Sequence, residues 1–138
     1  MIAGDMLLPK ISTNTSVWTI EPDGNPVDQF LRSIRRFLDL PNDTLVLPAH
    51  GLPFRGIAQR VAALEAHHAD RLSDLRVAIQ NAPQSAADVL PVLFRRPLDT
   101  HQLYFAMGES IAHLNLLMHA QTARRTLDAD GVYRFSIP

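Results

Sequence analysis

The chain has no cysteine among its 138 residues. This absence excludes a disulfide framework, thiolate metal ligands and a cysteine nucleophile. An excess of one charge is also missing, since 13 basic and 14 acidic residues give a formal net charge of −1. A nearly neutral chain gives no reason to expect general attraction to nucleic acid or anionic lipid. The compartment stays open, with a cytoplasmic location as the default expectation.

Long apolar runs are absent as well. No stretch approaches the roughly 18 residues that cross a membrane, so no membrane partner is expected. Residues 1–8 have no basic leader and are interrupted by Asp5, so they do not resemble a signal peptide. They look like the inside of a strand, and we expect Met1 to lie within a longer reading frame. The apolar content of 46% is enough for a core, in one domain or two small ones.

The first half of the chain is predicted to combine short strands with one helix. Strands are predicted over residues 2–8 and 44–47. Asn25 and Pro26 suit the start of a helix, and apolar residues then recur at helical spacing as far as Leu38. A longer helix is predicted over residues 56–82, where it would link the two halves.

The second half is predicted to contain two more helices and a hairpin. Ser85 suits the cap of a short helix over residues 86–93, and a long helix is predicted over 100–123. Asp130-Gly131 is a strong signal for a two-residue hairpin turn. Three helices followed by a hairpin describe a winged-helix module. The predicted fold class is therefore α+β and mostly helical, with domains at 1–55 and 56–138.

Two metal-capable side chains each follow a strand-like stretch. Asp5 comes after Gly4, and His50 stands in the sequence Pro-Ala-His-Gly of residues 48–51. An ionised carboxylate and a neutral imidazole are common ligands of a zinc-like ion. A catalytic zinc needs three protein ligands and an open position, so two ligands are only part of a site. Taken alone, Asp5 could simply cap a turn and His50 could be an ordinary loop histidine.

The order of these features resembles the C-terminal part of metallo-β-lactamase-superfamily hydrolases, in the branch that carries a winged-helix domain. The resemblance rests on Gly4-Asp5 followed by Leu8-Pro9, residues 47–51, the helix bearing His67, His68, Arg71 and Leu72, and residues 112–114 ahead of Asp130-Gly131. It implies an αββα sandwich with metal ligands on loops at one sheet edge. Residues 1–55 would be the C-terminal part of that sandwich.

The resemblance implies that Asp5 bridges two zinc-like ions and that His50 is the last histidine ligand of the second ion. The family's His-x-His-x-Asp-His motif is absent from this sequence, as is the histidine between that motif and the bridging aspartate. The intact protein would be a dinuclear zinc hydrolase of a small ester, thioester or lactone. This chain alone is expected to be inactive. Its strands lack sheet partners, which predicts either self-association through this half or packing of the first 50 or so residues in a way that differs from the family.

Other polar residues have plainer interpretations. The adjacent His67 and His68 diverge around a helix and cannot converge on one ion, and His68 lies on the apolar stripe, where a packed, hydrogen-bonded histidine is expected. Glu109 and His113 share a helix face, and a structural pair is the preferred interpretation. Ser12 and Ser110 lack a nucleophile-elbow sequence.

The alternative function is a non-catalytic winged-helix module for interaction or nucleic-acid binding, or part of an endoribonuclease of the same superfamily. A DNA-binding winged helix needs basic side chains on its third helix. Residues 102–123 contain no lysine or arginine, and residues 56–138 balance eight arginines with eight acidic residues. Nucleic acid is therefore not the expected partner. A basic stripe along the groove would favour it, whereas a narrow apolar pocket would favour a small-molecule hydrolase.

Overall fold

A computed structural model describes all 138 residues of the chain, which form two compact units. The first unit contains Met1–Asn14 and Asp28–His68, and the second contains Thr15–Val27 and Ala69–Pro138. Four α-helices and two two-stranded sheets confirm the α+β class. The domain boundary predicted after residue 55 stays a prediction. None of the helices is both long and apolar enough to cross a membrane.

Both strands of the first unit are shorter than predicted. Strand β1 (Ile2–Gly4) pairs in parallel with β2 (Leu47–Pro48), so that Ile2 lies opposite Leu47. The predicted strand over 2–8 stops at Gly4, because this residue has φ +54° and the chain then turns with a hydrogen bond from the Met6 amide to the Ala3 carbonyl. Val46 forms a separate antiparallel bridge with Phe54.

Helix α1 (Pro26–Arg35) continues into a 3₁₀ segment (Arg36–Asp39), so its last turn is tighter than α-helical. The predicted apolar stripe is buried at Val27, Phe30 and Ile34, whereas Leu38 at its end is 48% exposed. Helix α2 (Ile57–Ala78) is four residues shorter at its end than predicted. The core of the first unit is built from strand, α1 and α2 residues: Ala3, Leu7, Phe30, Ile34, Val46, Ile57, Val61 and Leu64.

The second unit contains helices α3 (Leu90–Leu93) and α4 (Thr100–His119). The predicted helix over 86–93 is wrong in length, because the Ser85 amide and hydroxyl both bond the Asp88 carboxylate and favour a turn there. Helix α4 begins at a capping box made by Asp99 and Gln102. It ends at His119, four residues before the prediction, and Gln121 follows with φ +58°.

The predicted hairpin is confirmed, with β3 (Arg124–Leu127) antiparallel to β4 (Tyr133–Ser136). Its connection is longer than a two-residue turn, because the Asp128 carboxylate accepts from the Asp130 and Val132 amides. Phe135 of β4 also forms a bridge with Gln84. The core of this unit combines residues in or next to the end of α2, α3, α4 and the hairpin: Leu75, Ile79, Val89, Leu93, Leu114, Leu117, Ala123 and Phe135.

Candidate metal centre

Asp5 lies in the turn that directly follows β1. The positive φ of Gly4 reverses the chain at this point, so Asp5 lies in an exposed turn and not within the strand. Its backbone carbonyl accepts a hydrogen bond from the Thr13 hydroxyl, eight residues along the chain. The backbone at Asp5 is thus held even though its side chain is exposed.

His50 lies just after β2. The pairing of β1 with β2 extends by one hydrogen bond beyond the strands, from the Ala49 amide to the Gly4 carbonyl at 2.9 Å. This bond places the residue after Ala49 beside the residue after Gly4. Gly51 follows with φ +84°, and the chain turns away from the sheet. Parallel pairing of two short strands therefore brings Asp5 and His50 together.

The distance between His50 Nε2 and Asp5 Oδ1 is 3.5 Å, and the two side chains are 70% and 61% exposed. Two atoms that each lie ~2.0–2.2 Å from one tetrahedral zinc ion are about 3.3–3.5 Å apart. The pair therefore fits two of the ligands of such an ion. No group of three or more histidine, cysteine, aspartate or glutamate side chains in the 138 residues is placed to hold a metal. The ligand roles of Asp5 and His50 stay a prediction.

A cavity of about 300 Å³ adjoins His50. Its walls come from the loop after Asp5 and the loop after β2: Pro9, Lys10, Ile11, His50, Gly51 and Leu52. Ile11 and Leu52 are 62% and 80% exposed, so the walls present apolar surface to the outside. The candidate ligand His50 thus lies at the edge of a mainly apolar space, whose lining also includes Lys10.

Helix α2 contacts the loop after Asp5 through Arg60, which sequence reasoning missed, and through His68. The Arg60 guanidinium donates to the carbonyls of Leu8 and Ile11, at 2.5 and 2.8 Å. His68 is fully buried, as predicted, and its Nε2 lies 3.1 Å from the Ser12 hydroxyl. Ser12 and His68 are 56 residues apart in the sequence, so no local pattern could have connected them.

The other histidines do not gather into a site. His113 is buried, and its Nδ1 lies 2.8 Å from the backbone carbonyl of Glu109. The predicted pairing of the Glu109 and His113 side chains stays a prediction. Burial raises the pKa of the Glu109 carboxyl, and the charge of Arg71 opposes this effect. His101 and His119 are exposed at the two ends of α4.

The second unit has its own apolar cavity, of about 340 Å³. Its lining includes Trp18, the single tryptophan of the chain, together with Met107, Ile111 and Phe135. The Arg125 side chain also reaches the cavity, but its guanidinium pairs with Asp23 at 2.7 Å. This cavity therefore presents little uncompensated charge.

Comparison with known proteins gives this geometry a context. Residues 72–138 match the family described as metallo-beta-lactamase-like, C-terminal domain. The chain is a C-terminal portion of a metallo-β-lactamase-fold protein. A crystal structure of a beta-lactamase domain protein from Burkholderia ambifaria is 51% identical, with a TM-score of 0.97, over 99% of this chain and 41% of that one. A metallo-beta-lactamase family protein from Thermus thermophilus is 32% identical, with a TM-score of 0.82 and the same coverage.

The chain corresponds to a C-terminal portion of the metallo-β-lactamase fold, as the resemblance predicted. It spans 41% of the length of both solved structures. Both structural matches cover 99% of the chain, whereas the match to the family's C-terminal domain begins at Leu72. No match was found among curated proteins.

Proposed function

We propose that the chain is part of a metal-dependent hydrolase in which Asp5 and His50 supply two ligands of a dinuclear zinc centre. The observation that carries this proposal is the 3.5 Å separation of a carboxylate and an imidazole on adjacent turns after paired strands. Membership of the metallo-β-lactamase family supports the same reaction class. The remaining ligands would come from outside these 138 residues, since no third side chain joins the pair.

A divalent ion at such a centre lowers the pKa of a bound water and polarises the carbonyl group under attack. The residues of this chain would hold and orient the ion. Asp5 carries the negative charge that partly compensates a dication, and His50 adds a neutral nitrogen ligand. Because both side chains are mostly exposed, they could be approached by a substrate and by further ligands.

A small ester, thioester or lactone is the proposed substrate class. The space beside His50 has mainly apolar walls, as expected of a pocket that takes a small organic molecule. Helix α4 has no arginine or lysine, which argues against the basic surface that nucleic-acid binding needs. Both observations favour a small-molecule hydrolase over the nucleic-acid-binding alternatives.

Zinc titration of the 138-residue chain tests the ligand assignment. Following the His50 ring by NMR should reveal weak binding, because two ligands are fewer than a stable site needs. Asp5→Ala should remove this response, while His101→Ala, at an exposed histidine on α4, should leave it unchanged. An Asp5→Ala chain that binds zinc as the unaltered chain does would refute the assignment. Tight, stoichiometric binding of two ions by the unaltered chain would instead refute the view that these residues are only part of a site.

We further infer that the second unit is a winged helix, formed by the end of α2, by α3 and α4, and by the β3–β4 hairpin. The bridge between Gln84 and Phe135 supports this inference, because it adds a third short strand to the hairpin. Electrophoretic mobility with duplex DNA should show no complex at physiological salt. A specific complex would instead support the nucleic-acid-binding alternative.

Self-association is proposed for the first unit. Ile2, Leu45 and Leu47 lie on or beside the two-stranded sheet and are 85%, 43% and 41% exposed. Apolar side chains at an open sheet edge favour pairing with another chain. Size-exclusion chromatography with light scattering should show a concentration-dependent dimer, which Ile2→Lys weakens. A monomer at high concentration would contradict the proposal.

A further inference from the structure

The loop that begins at Asp5 is closed by its own hydrogen bond. The Thr13 hydroxyl donates to the Asp5 carbonyl and so fastens the end of the loop to its beginning. Leu7 and Leu8, inside the loop, are 0% and 4% exposed and anchor it in the first unit. The Asp5 side chain itself is largely exposed, so its position depends on the backbone to which it is attached.

Helix α2 holds this loop at two carbonyl groups. Arg60 donates from Nε to the Leu8 carbonyl at 2.5 Å and from Nη2 to the Ile11 carbonyl at 2.8 Å. A guanidinium group offers these donors in a fixed planar fork, so it sets the spacing of the two carbonyls. Desolvation lowers the pKa of Arg60, consistent with a cation partly withdrawn from water to make these bonds.

A second attachment lies about two turns further along α2. His68 is fully buried, and its ring packs edge-to-face on Phe30 with the centroids 5.7 Å apart. The ring is therefore fixed, and its Nε2 contacts the Ser12 hydroxyl at 3.1 Å. Ser12 is the neighbour of Thr13, whose hydroxyl bonds to Asp5. A continuous set of contacts thus leads from α2 to the backbone of the candidate ligand.

We propose that Ser12, Thr13, Arg60 and His68 are positioning residues for the Asp5 carboxylate, and that they hold it ready for the metal. The proposal rests on the proposed function, because it requires Asp5 to be a ligand. Residues that hydrogen-bond to a metal ligand and orient it typically lower metal affinity by 10–100-fold when they are removed. The attachment here acts through the backbone, and we expect a smaller loss, of threefold to tenfold.

The test compares variants that differ by one hydroxyl or methyl group. Thr13→Val removes the bond to the Asp5 carbonyl at nearly constant shape, and Thr13→Ser retains it. Ser12→Ala removes the contact with His68, and Ser73→Ala, on the exposed face of α2, is the matched control. The dissociation constant of zinc at His50 is measured by NMR for each 138-residue variant. Amide hydrogen exchange of residues 6–13 is measured without metal, and circular dichroism verifies folding.

Thr13→Val and Ser12→Ala should each raise the zinc dissociation constant at least threefold and speed amide exchange in residues 6–13. Thr13→Ser and Ser73→Ala should behave as the unaltered chain. Unchanged zinc affinity in Thr13→Val and Ser12→Ala, with affinity lost in Asp5→Ala, would overturn the positioning role and leave the proposed function intact. Zinc binding that survives Asp5→Ala would instead refute both. If Thr13→Val fails to fold, the comparison of Ser12→Ala with Ser73→Ala decides.

Discussion

Substitution of Gly51 by alanine tests how the two loops of the candidate centre fit together. Gly51 follows His50 and has φ +84°, a conformation that residues with a Cβ rarely adopt. A Cβ added there would lie 2.7 Å from Pro9 Cγ and 3.3 Å from Pro9 Cδ. The proline ring cannot rotate away like a flexible side chain, so the loop after Asp5 or the loop after β2 must move.

The expected loss of stability has two parts. The left-handed backbone conformation costs an alanine roughly 1–2 kcal/mol. Steric overlap with Pro9 adds about 1–3 kcal/mol, the usual cost of overpacking. The reduced entropy of the unfolded chain returns about 0.4–1 kcal/mol. Gly51→Ala should therefore lower the free energy of unfolding by about 1–5 kcal/mol, with a central value of about 3 kcal/mol.

Gly131→Ala is the matched control for this substitution. Gly131 has a similar φ of +77°, but no atom lies within 4 Å of its added Cβ. Its cost should be the backbone part alone, about 1 kcal/mol after the entropy gain. The two variants are compared by urea unfolding followed by far-UV circular dichroism. A slope of about 2 kcal/mol per molar urea predicts that Gly51→Ala unfolds about 1 M earlier than Gly131→Ala.

Equal urea midpoints for the two glycine variants would refute the reasoning, because they would mean that Pro9 does not overlap the Cβ added at position 51. A second measurement locates the effect. The amide signals of residues 9 and 10 and of His50 should shift in Gly51→Ala and not in Gly131→Ala. Shifts confined to Gly51 and its immediate neighbours would show that the two loops are not in contact.

Three further predictions concern the second unit. Glu109→Gln should raise the urea midpoint at pH 8, because it removes a desolvated charge. This gain should start to shrink as the pH falls through the raised pKa of Glu109, and should vanish below the ordinary carboxyl pKa of 4.5, where the folded and unfolded chains are both protonated. Asn115→Ala should lower the free energy of unfolding, measured with urea, by about 2–4 kcal/mol, because the buried Asn115 amide donates to the Pro22 and Gly24 carbonyls at 2.9 Å. His119→Ala, at an exposed residue, should lower it by less than about 1 kcal/mol. Arg134→Met should lower the thermal midpoint at pH 7 and make no difference well below pH 3.8. Arg134 pairs with both Asp128 and Asp88, whose pKa values are lowered, and protonation of the two carboxyls removes these charge pairs.

Each of these results has a clear contrary outcome. A pH-independent effect of Glu109→Gln would mean that the carboxyl is not desolvated. Equal losses for Asn115→Ala and His119→Ala would mean that burial of the amide does not matter. If Arg134→Met still lowers the thermal midpoint at pH 2, its effect comes from lost packing and not from lost charge pairing.

Helix and hairpin positions could be predicted from the sequence because their signals are local. The apolar spacing of α1 and α4 and the Asp130-Gly131 turn act over a few residues, and each produced the expected element. The boundaries were less accurate, because they depend on side chains that compete with the helix. Ser85 and Asp88 bond to each other and delay α3, a choice that apolar spacing does not reveal.

The candidate metal ligands could also be recognised from local features of the sequence, since Asp5 and His50 each follow a short strand and their order matches a known family. The sequence by itself therefore determined which two side chains have the chemistry to bind a metal. Tertiary structure alone decided that they meet at 3.5 Å, because parallel pairing of β1 with β2 joins residues more than forty positions apart. It also decided that Arg60 and His68 hold the loop after Asp5, since contacts between distant segments depend on how the chain packs and leave no mark in local spacing.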